Sequence, residues 1–259
     1  MKEPASNREW RKWGETDPLF GVASWPGRNQ QGASPWTDEE FYRLGESDWQ
    51  DFRSHWERYG VDRQSCVEIG CGAGRITKQL ASFFGEVHAL DVSDKMIEYA
   101  QRHVSAPCVT FHISNGTAIP LRDGQIDAAF SAHVFQHFDS LSVAQNYFAE
   151  MARVLKPGGT LMIHLPIHQW PAMSRTLVRL YALRRAMRDL VARGKRLLMD
   201  RGLGQPIMRN LSYPLEFVYR VLPQCGLGDI EIMIFSTRSN LAPHSFVFAR
   251  KQNASEPVA

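Results

Sequence analysis

The sequence predicts an α/β fold in which helices cover a doubly wound, mostly parallel sheet of seven strands. Three observations predict it. From residue 65 onward, five short apolar runs alternate with helical patterns, and glycines follow the first run at once. The chain then ends in two strand-like runs joined by a polar turn. Such regular alternation is typical of parallel strands joined by crossover helices, and the last two runs would close the sheet as an antiparallel pair.

The strands and helices of this core follow from their patterns. The five parallel strands are predicted near 66–70, 87–91, 109–113, 126–131 and 160–164. Helical patterns near 73–84, 94–103 and 140–155 separate the strands. The closing pair is predicted at 229–235 and 245–250. Gly85 ends the first helix and the K-P-G-G run at 156–159 stops the third, as glycine and proline do at helix C-termini.

Residues 1–60 form an aromatic-rich extension that carries six of the seven tryptophans. Residues 37–40, which read T-D-E-E, predict a capping box at the start of a short helix. Trp49, Phe52 and Trp56 share one face of a second helix that ends at Gly60. We expect both helices to dock on the core, because so much aromatic surface is not left in water. They either pack there or form a lid that excludes water from a site.

Residues 166–225 form a helical insertion between the fifth strand and the closing pair. Within 171–201, nine basic and two acidic residues give a net charge of +7, against +3 for the whole chain. Apolar residues recur there at helical spacing, which predicts a basic amphipathic helix whose charged face is solvated, covers an anionic substrate or contacts a membrane surface. We favour the substrate lid, because the insertion leaves the carboxyl end of a strand, where ligands of such sheets bind.

At 259 residues, the chain is long enough for one α/β core with additions, and we divide it into 1–60, 61–165, 166–225 and 226–259. No apolar run approaches the roughly 18 residues of a membrane span, and the start lacks a signal-peptide pattern, so we expect a cytoplasmic protein. The four cysteines are scattered without a C-x-x-C pair, which indicates neither a disulfide framework nor a metal site. No nucleic-acid-binding module is visible, and the oligomeric state stays open.

A glycine-rich turn joins the first strand to the first helix. The run from Ser65 to Thr77 reads S-C-V-E-I-G-C-G-A-G-R-I-T. Glycines let the chain turn sharply and let a ligand approach the bare backbone at a helix N-terminus. A dinucleotide fingerprint requires its third glycine at position 75, where Arg75 stands instead. Asp91, about 20 residues further at the tip of the second strand, suits two hydrogen bonds to a ribose diol.

This E-x-G-x-G-x-G pattern resembles the first motif of the class I S-adenosylmethionine (SAM) dependent methyltransferases. Three later stretches are similar to that family: S-N-G-T-A-I-P-L-R-D-G at 114–124, the fourth strand with its continuation, and A-R-V-L-K-P-G-G-T-L-M-I at 152–163. The resemblance covers residues 60–165. It implies a Rossmann-like fold, SAM as cofactor and methyl transfer to an oxygen or nitrogen nucleophile. Together with the basic segment 171–201, it leads us to expect a small acceptor that is anionic or lipid-like.

The resemblance also implies site residues. The glycine turn would surround the methionine part of SAM, and the loops after the second and third strands would hold its nucleoside. The complete predicted cofactor set is Glu68, Gly70, Cys71, Gly72, Gly74, Asp91, Val92, Met96, Asn115, Gly116, Ser131 and Ala132. Asn115 stands where the family has an aspartate, so it would offer an oxygen without a charge. For a general base we predict His133, with His168 as the next candidate and His137 as a structural residue.

Two interpretations from other classes stay open. A nicotinamide-dependent, NAD(P)-binding oxidoreductase would use the same ribose acid, although the glycine spacing and the lack of a Tyr-x-x-x-Lys pattern speak against it. A non-catalytic protein that keeps the SAM-binding fold as a binding or scaffold module would carry the same glycines and Asp91.

Overall fold

The computed structural model describes residues 4–168, 208–239 and 241–253, together with isolated positions at 183, 187, 190, 191, 194 and 195. A seven-stranded sheet lies at its centre, and a separate two-stranded pair is formed by β6 and β7. In chain order, the strands are β1 (Ser65–Ile69), β2 (Glu86–Asp91), β3 (Val109–Ile113), β4 (Ile126–Ser131), β5 (Leu155–His164), β6 (Ile167–His168), β7 (Tyr213–Pro214), β8 (Leu227–Ser236) and β9 (Pro243–Lys251).

The order of strands in the main sheet is β3-β2-β1-β4-β5-β9-β8, which confirms the predicted doubly wound α/β class. The first five strands are parallel, and β9 runs antiparallel to both β5 and β8. The connections change direction between β1 and β4, two strands that are buried along their whole length. Open α/β sheets leave a ligand crevice beyond the carboxyl ends of the strands at such a point.

The helices agree with the predicted pattern in the core except at the first one. They are α1 (Ala5–Thr16), α2 (Pro18–Val22), α3 (Asp38–Tyr59), α4 (Thr77–Leu80), α5 (Asp94–His103), α6 (Leu141–Val154) and α7 (Leu215–Gln224). Helix α4 is a single turn, because Gly72 and Gly74 adopt left-handed φ values of 53° and 83° that an α-helix does not contain. Within the described ranges, no helix combines the length and the apolar character that crossing a bilayer requires.

Helix α3 is one continuous helix of 22 residues, where the sequence analysis predicted two. Its start has the predicted capping box, in which Glu40 N–H donates to Thr37 Oγ1 and Thr37 N–H donates to the Glu40 carboxylate. Its end is Gly60 in the left-handed conformation. The helix passes through Gly45 because this glycine lies directly against the core. A β-carbon at Gly45 would be 2.4 Å from the carbonyl oxygen of Arg75.

The aromatic face of α3 packs against one face of the sheet. Trp49, Phe52 and Trp56 are buried there with Phe130 of β4. The indole N–H of Trp56 donates to Thr160 Oγ1 at 3.1 Å, so its polar atom is satisfied as well. Burial of each of these side chains contributes on the order of 2–3 kcal/mol. This half of the N-terminal extension is therefore a packing element of the core.

Helix α1 is tied to the core by charged groups. The Asp139 carboxylate accepts a hydrogen bond from Ala5 N–H at 2.6 Å and pairs with Arg209 at 2.6 Å. Arg209 also donates to both carboxylate oxygens of Glu9 on α1, at 2.8 and 2.7 Å. Glu9 is only 1% exposed. Because loss of either partner would leave a buried charge uncompensated, this network fixes α1 strongly.

Part of the predicted insertion lies in the described residues. Helix α7 packs Phe217, Val218 and Leu222 into the main core, and the Tyr213 hydroxyl donates to Phe135 O at 2.7 Å. Residues 213–224 thus belong to the core layers, although the sequence analysis assigned them to the insertion. Most of the basic amphipathic segment 171–201 lies outside the described residues. Its described apolar positions are helical and exposed: Leu183, Met187, Leu190 and Val191.

We predict that Gly45→Ala destabilises the protein. Alanine in a helix interior ordinarily stabilises by about 1 kcal/mol relative to glycine, but here the added methyl group meets a backbone carbonyl. The cost of such overpacking exceeds the gain, and we expect the free energy of unfolding to fall by about 1–2 kcal/mol in urea denaturation. Ser54→Ala, at an exposed position of the same helix, is the control and should change stability by less than about 0.5 kcal/mol. A more stable Gly45→Ala variant would contradict the packing described here.

Candidate functional site

A cavity of about 340 Å³ lies beyond the ends of β1 and β4, where the connections of the sheet change direction. Its wall combines the glycine turn after β1, the end of β2, the loops after β3 and β4, and parts of α1 and α2. The crevice expected for an open α/β sheet is therefore present. Its volume is in the range of sites for small molecules.

The predicted site residues divide into two groups. The cavity is lined by Gly70, Gly72, Asp91, Val92, Gly116, Ala132 and His133. The other predicted residues are not part of its wall: Glu68, Cys71, Gly74, Met96, Asn115 and Ser131. The structure thus brings the backbone of the glycine turn, the acid of β2 and the loop after β4 to one cavity.

The glycine turn is packed so closely that side chains are excluded from it. Gly70 has a φ of 75°, and a β-carbon there would lie 2.4 Å from Val134 Cγ2. At Gly72, a β-carbon would lie 2.6 Å from Val22 Cγ2 of α2. Glycine is needed at these positions for two reasons: the backbone is left-handed, and a β-carbon would clash with the neighbouring valine side chains. As a result, the bare backbone of the turn forms part of the cavity wall.

Asp91 lies at the end of β2 and fixes the turn next to it. Its carboxylate accepts hydrogen bonds from Gly72 N–H and Ser93 N–H, both at 2.9 Å. Burial raises the pKa of the Asp91 carboxyl, and the two backbone hydrogen bonds oppose that shift. Each carboxylate oxygen has further lone pairs, so Asp91 can also accept hydrogen bonds from ligand hydroxyl groups in the cavity.

Glu68 lies in β1 beneath the turn and is 3% exposed. Thr77 Oγ1 donates to its carboxylate at 2.6 Å. Burial raises the pKa of Glu68 to about 7, while the Thr77 hydrogen bond and the positive charge of Arg75 oppose that rise. Glu68 is therefore held in the interior and is bonded to the first residue of the helix that follows the glycine turn.

Two polar members of the second group are used within the protein. Ser131 Oγ donates to Ile69 O at 2.9 Å. Asn115 Oδ1 accepts from Thr117 N–H at 2.9 Å and from Ala118 N–H at 3.1 Å, which closes a local turn. The side-chain oxygen that the sequence analysis offered to an adenine is thus engaged in this turn. Cys71 and Met96 are buried behind the wall.

Residues of the N-terminal extension also line the cavity, and the sequence analysis did not identify them. Asn7 and Trp10 of α1 face it. Asn7 Nδ2 donates to Asn115 O at 2.9 Å, and Arg11 Nε donates to Val92 O at 3.2 Å. Helix α1 is therefore bonded to both loops that follow β2 and β3. The aromatic composition signalled a docked extension, but composition does not tell which side chains face a ligand.

Arg75 and Asp48 form a buried ion pair in the cavity wall. Their side chains are 8% and 6% exposed, and the Asp48 carboxylate also accepts a hydrogen bond from Ser239. Within the described chain, Arg75 Nε is buried and has no hydrogen-bond partner. A guanidinium with an unused N–H group is suited to bind an anionic group such as a carboxylate.

The predicted histidines occupy different environments. His133 lines the cavity with a φ of 60°, and burial lowers its pKa to about 3. A general base is most effective when its pKa is near the working pH, so this environment does not favour His133 as a base. His137 Nδ1 lies 2.9 Å from Arg209 O, and its ring packs against Trp10, as expected of a structural residue. His168 lies in β6 and is not part of the wall.

The wall offers complementary groups to an elongated polar ligand. A carboxylate at the end of β2 suits a diol, and apolar side chains beside it suit a flat ring. The bare glycine backbone has Glu68 beneath it and Arg75 next to it. This part of the wall suits a group that carries one positive and one negative charge. Helix α1 covers the ligand position and would limit the access of water.

Comparison with known proteins identifies the central part of the chain. Residues 67–163 match the family model described as a methyltransferase domain. The malonyl-[acyl-carrier protein] O-methyltransferase of Hahella chejuensis is 34% identical over 101 residues. This match covers 38% of the present chain and 35% of the relative, so the chain spans about a third of that relative's length.

Two solved structures are similar over more of the chain. Phosphoethanolamine N-methyltransferase 2 of Haemonchus contortus, in complex with S-adenosyl-L-methionine, matches 79% of this chain and 53% of its own, with a TM-score of 0.55 and 19% identity. The [4+2]-cyclase SpnF matches 96% of this chain and 97% of its own, with a TM-score of 0.60 and 17% identity. At such identities the likeness concerns the fold alone.

We predict that Glu68→Gln changes how stability depends on pH. Folding raises the pKa of Glu68 from 4.5 to about 7, so the folded chain holds a proton that the unfolded chain releases. The corresponding stabilisation is complete below about pH 4.5 and is lost as the pH rises through about 7. Without ligand, the free energy of unfolding of Glu68→Gln relative to the parent should therefore rise between pH 4.5 and 8, by at most about 3 kcal/mol.

The control for this measurement is Glu46→Gln, at an exposed position of α3. Its stability relative to the parent should not change over the same pH range. Equal pH dependence of the parent and Glu68→Gln in urea denaturation would exclude titration of Glu68 in this window.

Proposed function

We propose, from the premise that residues 67–163 form a class I SAM-dependent methyltransferase domain, that this chain transfers a methyl group from SAM to an oxygen or nitrogen atom of a small acceptor. The observation that carries the proposal is that Gly70, Gly72 and Asp91 line one cavity at the point where the sheet connections change direction. SAM is the cofactor of this domain type, and it supplies a methyl group that its positively charged sulfur activates.

The residues of the cavity fit SAM in charge and shape. Asp91 would accept hydrogen bonds from the ribose diol, and the turn at Gly70 and Gly72 would hold the methionine part. Arg75, with its unused N–H group, would attract the carboxylate of that part. The positive charges of the ligand would favour the ionised form of Glu68 beneath the turn.

The N-terminal helices would serve as the lid of this site. Helix α1 lines the cavity and is bonded to the loops after β2 and β3. Methyl transfer requires donor and acceptor to be held in line with water excluded, and a docked helix supplies both conditions. This proposal assigns the lid function to α1 and α2, and a packing function to α3.

A small acidic or lipid-like molecule is the acceptor that we propose. The wall carries the aromatic side chains of Trp10, Trp25 and Phe138, which suit an apolar body. The basic segment 171–201 would approach an anionic head group, and a membrane surface is the competing partner for that segment. The relative from Hahella chejuensis is named for an O-methyl transfer to a malonyl group, which agrees with an acidic acceptor.

The other interpretations are less well supported. The matched domain is a methyltransferase domain, which leaves a nicotinamide-dependent oxidoreductase without support. One observation favours a protein that uses this fold for something other than methyl transfer. One structural neighbour with similarity over nearly the full length is described as a [4+2]-cyclase. Fold similarity therefore does not decide the reaction, and turnover has to be measured.

The test of the proposed function is the transfer of a labelled methyl group. Purified protein is incubated with methyl-labelled SAM and a fractionated host extract, and we expect label in one class of small molecules. A thermal-shift titration with SAM, S-adenosylhomocysteine and NAD accompanies it, since ligands stabilise in proportion to their affinity. Stabilisation by NAD alone would overturn the proposal. Stabilisation by SAM without label in any acceptor would favour the binding or scaffold interpretation.

We predict that Asp91→Ala weakens SAM binding by more than about 1 kcal/mol, because hydrogen bonds from the ribose to an ionised carboxylate are lost. Isothermal titration calorimetry with SAM measures the change. Asp91→Asn keeps an acceptor oxygen and the contact with Gly72, so its affinity for SAM should lie between that of the parent and that of Asp91→Ala. Asp94→Ala, which removes an exposed acid nearby, is the control and should bind as the parent does. Unchanged affinity in Asp91→Ala would mean that the ribose is held elsewhere.

A further inference from the structure

Three histidines meet beside the cavity at the crevice end of three neighbouring strands. His133 follows the end of β4, His164 is the last residue of β5, and His244 is the second residue of β9. Strand β5 pairs with β4 on one side and with β9 on the other. Because β9 runs antiparallel to β5, its beginning lies at the same edge as the ends of β4 and β5. The topology alone therefore places the three residues together.

The three rings face one another at short range. Ring centroids are 4.3 Å apart for His133 and His164, 5.0 Å for His133 and His244, and 5.2 Å for His164 and His244. One nitrogen atom from each ring lies within 4.8 Å of the other two. Nitrogen ligands at about 2.0–2.1 Å from a tetrahedral zinc ion are roughly 3.4 Å apart. Ring rotations that move these nitrogens by about 1 Å bring them to that separation.

Two features indicate that the cluster is more than packed rings. His164 is 2% exposed, and its Nδ1 has no hydrogen-bond partner in the part of the chain that the structure describes. A buried polar atom without a partner destabilises the folded chain, and a metal–nitrogen bond would offset that cost. His133 has a φ of 60°, a conformation that residues other than glycine adopt rarely and that is found at ligand sites.

We propose that His133, His164 and His244 bind one divalent transition-metal ion, with Zn²⁺ as the favoured ion. Imidazole nitrogen is a preferred ligand of zinc, and three protein ligands leave a fourth position for water or substrate. His133 and His244 line the cavity, so that fourth position faces it. Asp48 of the same cavity wall lies near His244, and its carboxylate is engaged by Arg75 and Ser239.

The use of this ion rests on the proposed methyltransferase function. An acceptor hydroxyl group that binds Zn²⁺ is acidified and releases its proton to water. Its oxygen then forms a bond to the methyl carbon of SAM while the carbon–sulfur bond breaks and the electron pair stays on sulfur. The products are the methylated acceptor and S-adenosylhomocysteine. The metal would thus take the place of a general base.

Titration with Co²⁺ tests the site without requiring turnover. The untagged chain is treated with a chelator, the chelator is removed, and Co²⁺ alone is added while visible absorption and heat are recorded. We expect one ion per chain, with the intense visible absorption of four-coordinate cobalt and displacement by Zn²⁺.

Variants locate the ion. His164→Ala and His244→Ala should each lose more than about 100-fold in Co²⁺ affinity. This loss is larger than the one expected when a residue that only hydrogen-bonds to a metal ligand is replaced. His112→Ala is the matched control, because His88 Nδ1 and His112 Nε2 lie only 3.0 Å apart and form the rival pair of imidazoles. It should bind Co²⁺ as the parent does. Far-UV circular dichroism and a cooperative thermal unfolding transition close to that of the parent should persist in all three variants and would demonstrate an intact fold.

The outcomes separate the two proposals. Absence of stoichiometric Co²⁺ binding, or equal binding by the parent and the His164 and His244 variants, overturns the metal site. Loss of binding in His112→Ala alone overturns it as well, and assigns the ion to the rival pair. Metal binding without methyl transfer supports the site and counts against the proposed function. Methyl transfer by the metal-free chain at the full rate removes the role of the ion in the reaction.

Discussion

The close packing around the glycine turn is the constraint on which the rest of the structure depends. Helix α3 approaches the turn at Gly45, and the Tyr42 hydroxyl donates to Ala73 O at 2.7 Å from the same helix. On the other side, Asp91 holds the amide of Gly72. The turn is thus fixed between a helix and a strand end, and its glycines leave no room for side chains. Backbone that is both bare and immobile is what a preorganised ligand site requires.

This arrangement explains why the N-terminal extension has two different tasks. The aromatic face of α3 is buried against the sheet, so that helix behaves as part of the core. Helix α1 makes polar contacts, through Glu9, Asn7 and Arg11, to groups around the cavity. Trp13 of α1 and Leu19 of α2 are in addition buried in an apolar cluster. Helix α1 thus adds hydrogen bonds and ion pairs around the cavity to the apolar burial that it shares with α3. The division of labour within the extension follows from the chemistry of its side chains.

The fold could be predicted because each strand and helix of the core has a recognisable pattern within its own stretch of sequence. The alternation of strands and helices, the glycine turn and Asp91 are short-range features, and the structure places Gly70, Gly72 and Asp91 on one cavity. The continuity of α3 was missed because Gly45 is a weak helix former, and its reason for being there is a tertiary contact with Arg75. The histidine cluster was missed because its members lie on β5, on β9 and just after β4, and only the antiparallel position of β9 brings His244 to the others.

Asp48 connects the two halves of the site and restricts which parts can move. It lies on α3, pairs with Arg75 of the glycine turn, and bonds Ser239 of the loop that leads to His244. Because α3 is held by three buried aromatic side chains at about 2–3 kcal/mol each, the cofactor side and the histidine side are fixed relative to one another. A route past α1 and α2 would require the contacts of these helices to open. Separation of Glu9 from Arg209, which costs about 3–5 kcal/mol when a buried partner is left alone, would be one barrier on that route, besides the burial of Trp13 and Leu19. A carboxylate that approaches Arg209 could lower this barrier by taking the place of Glu9.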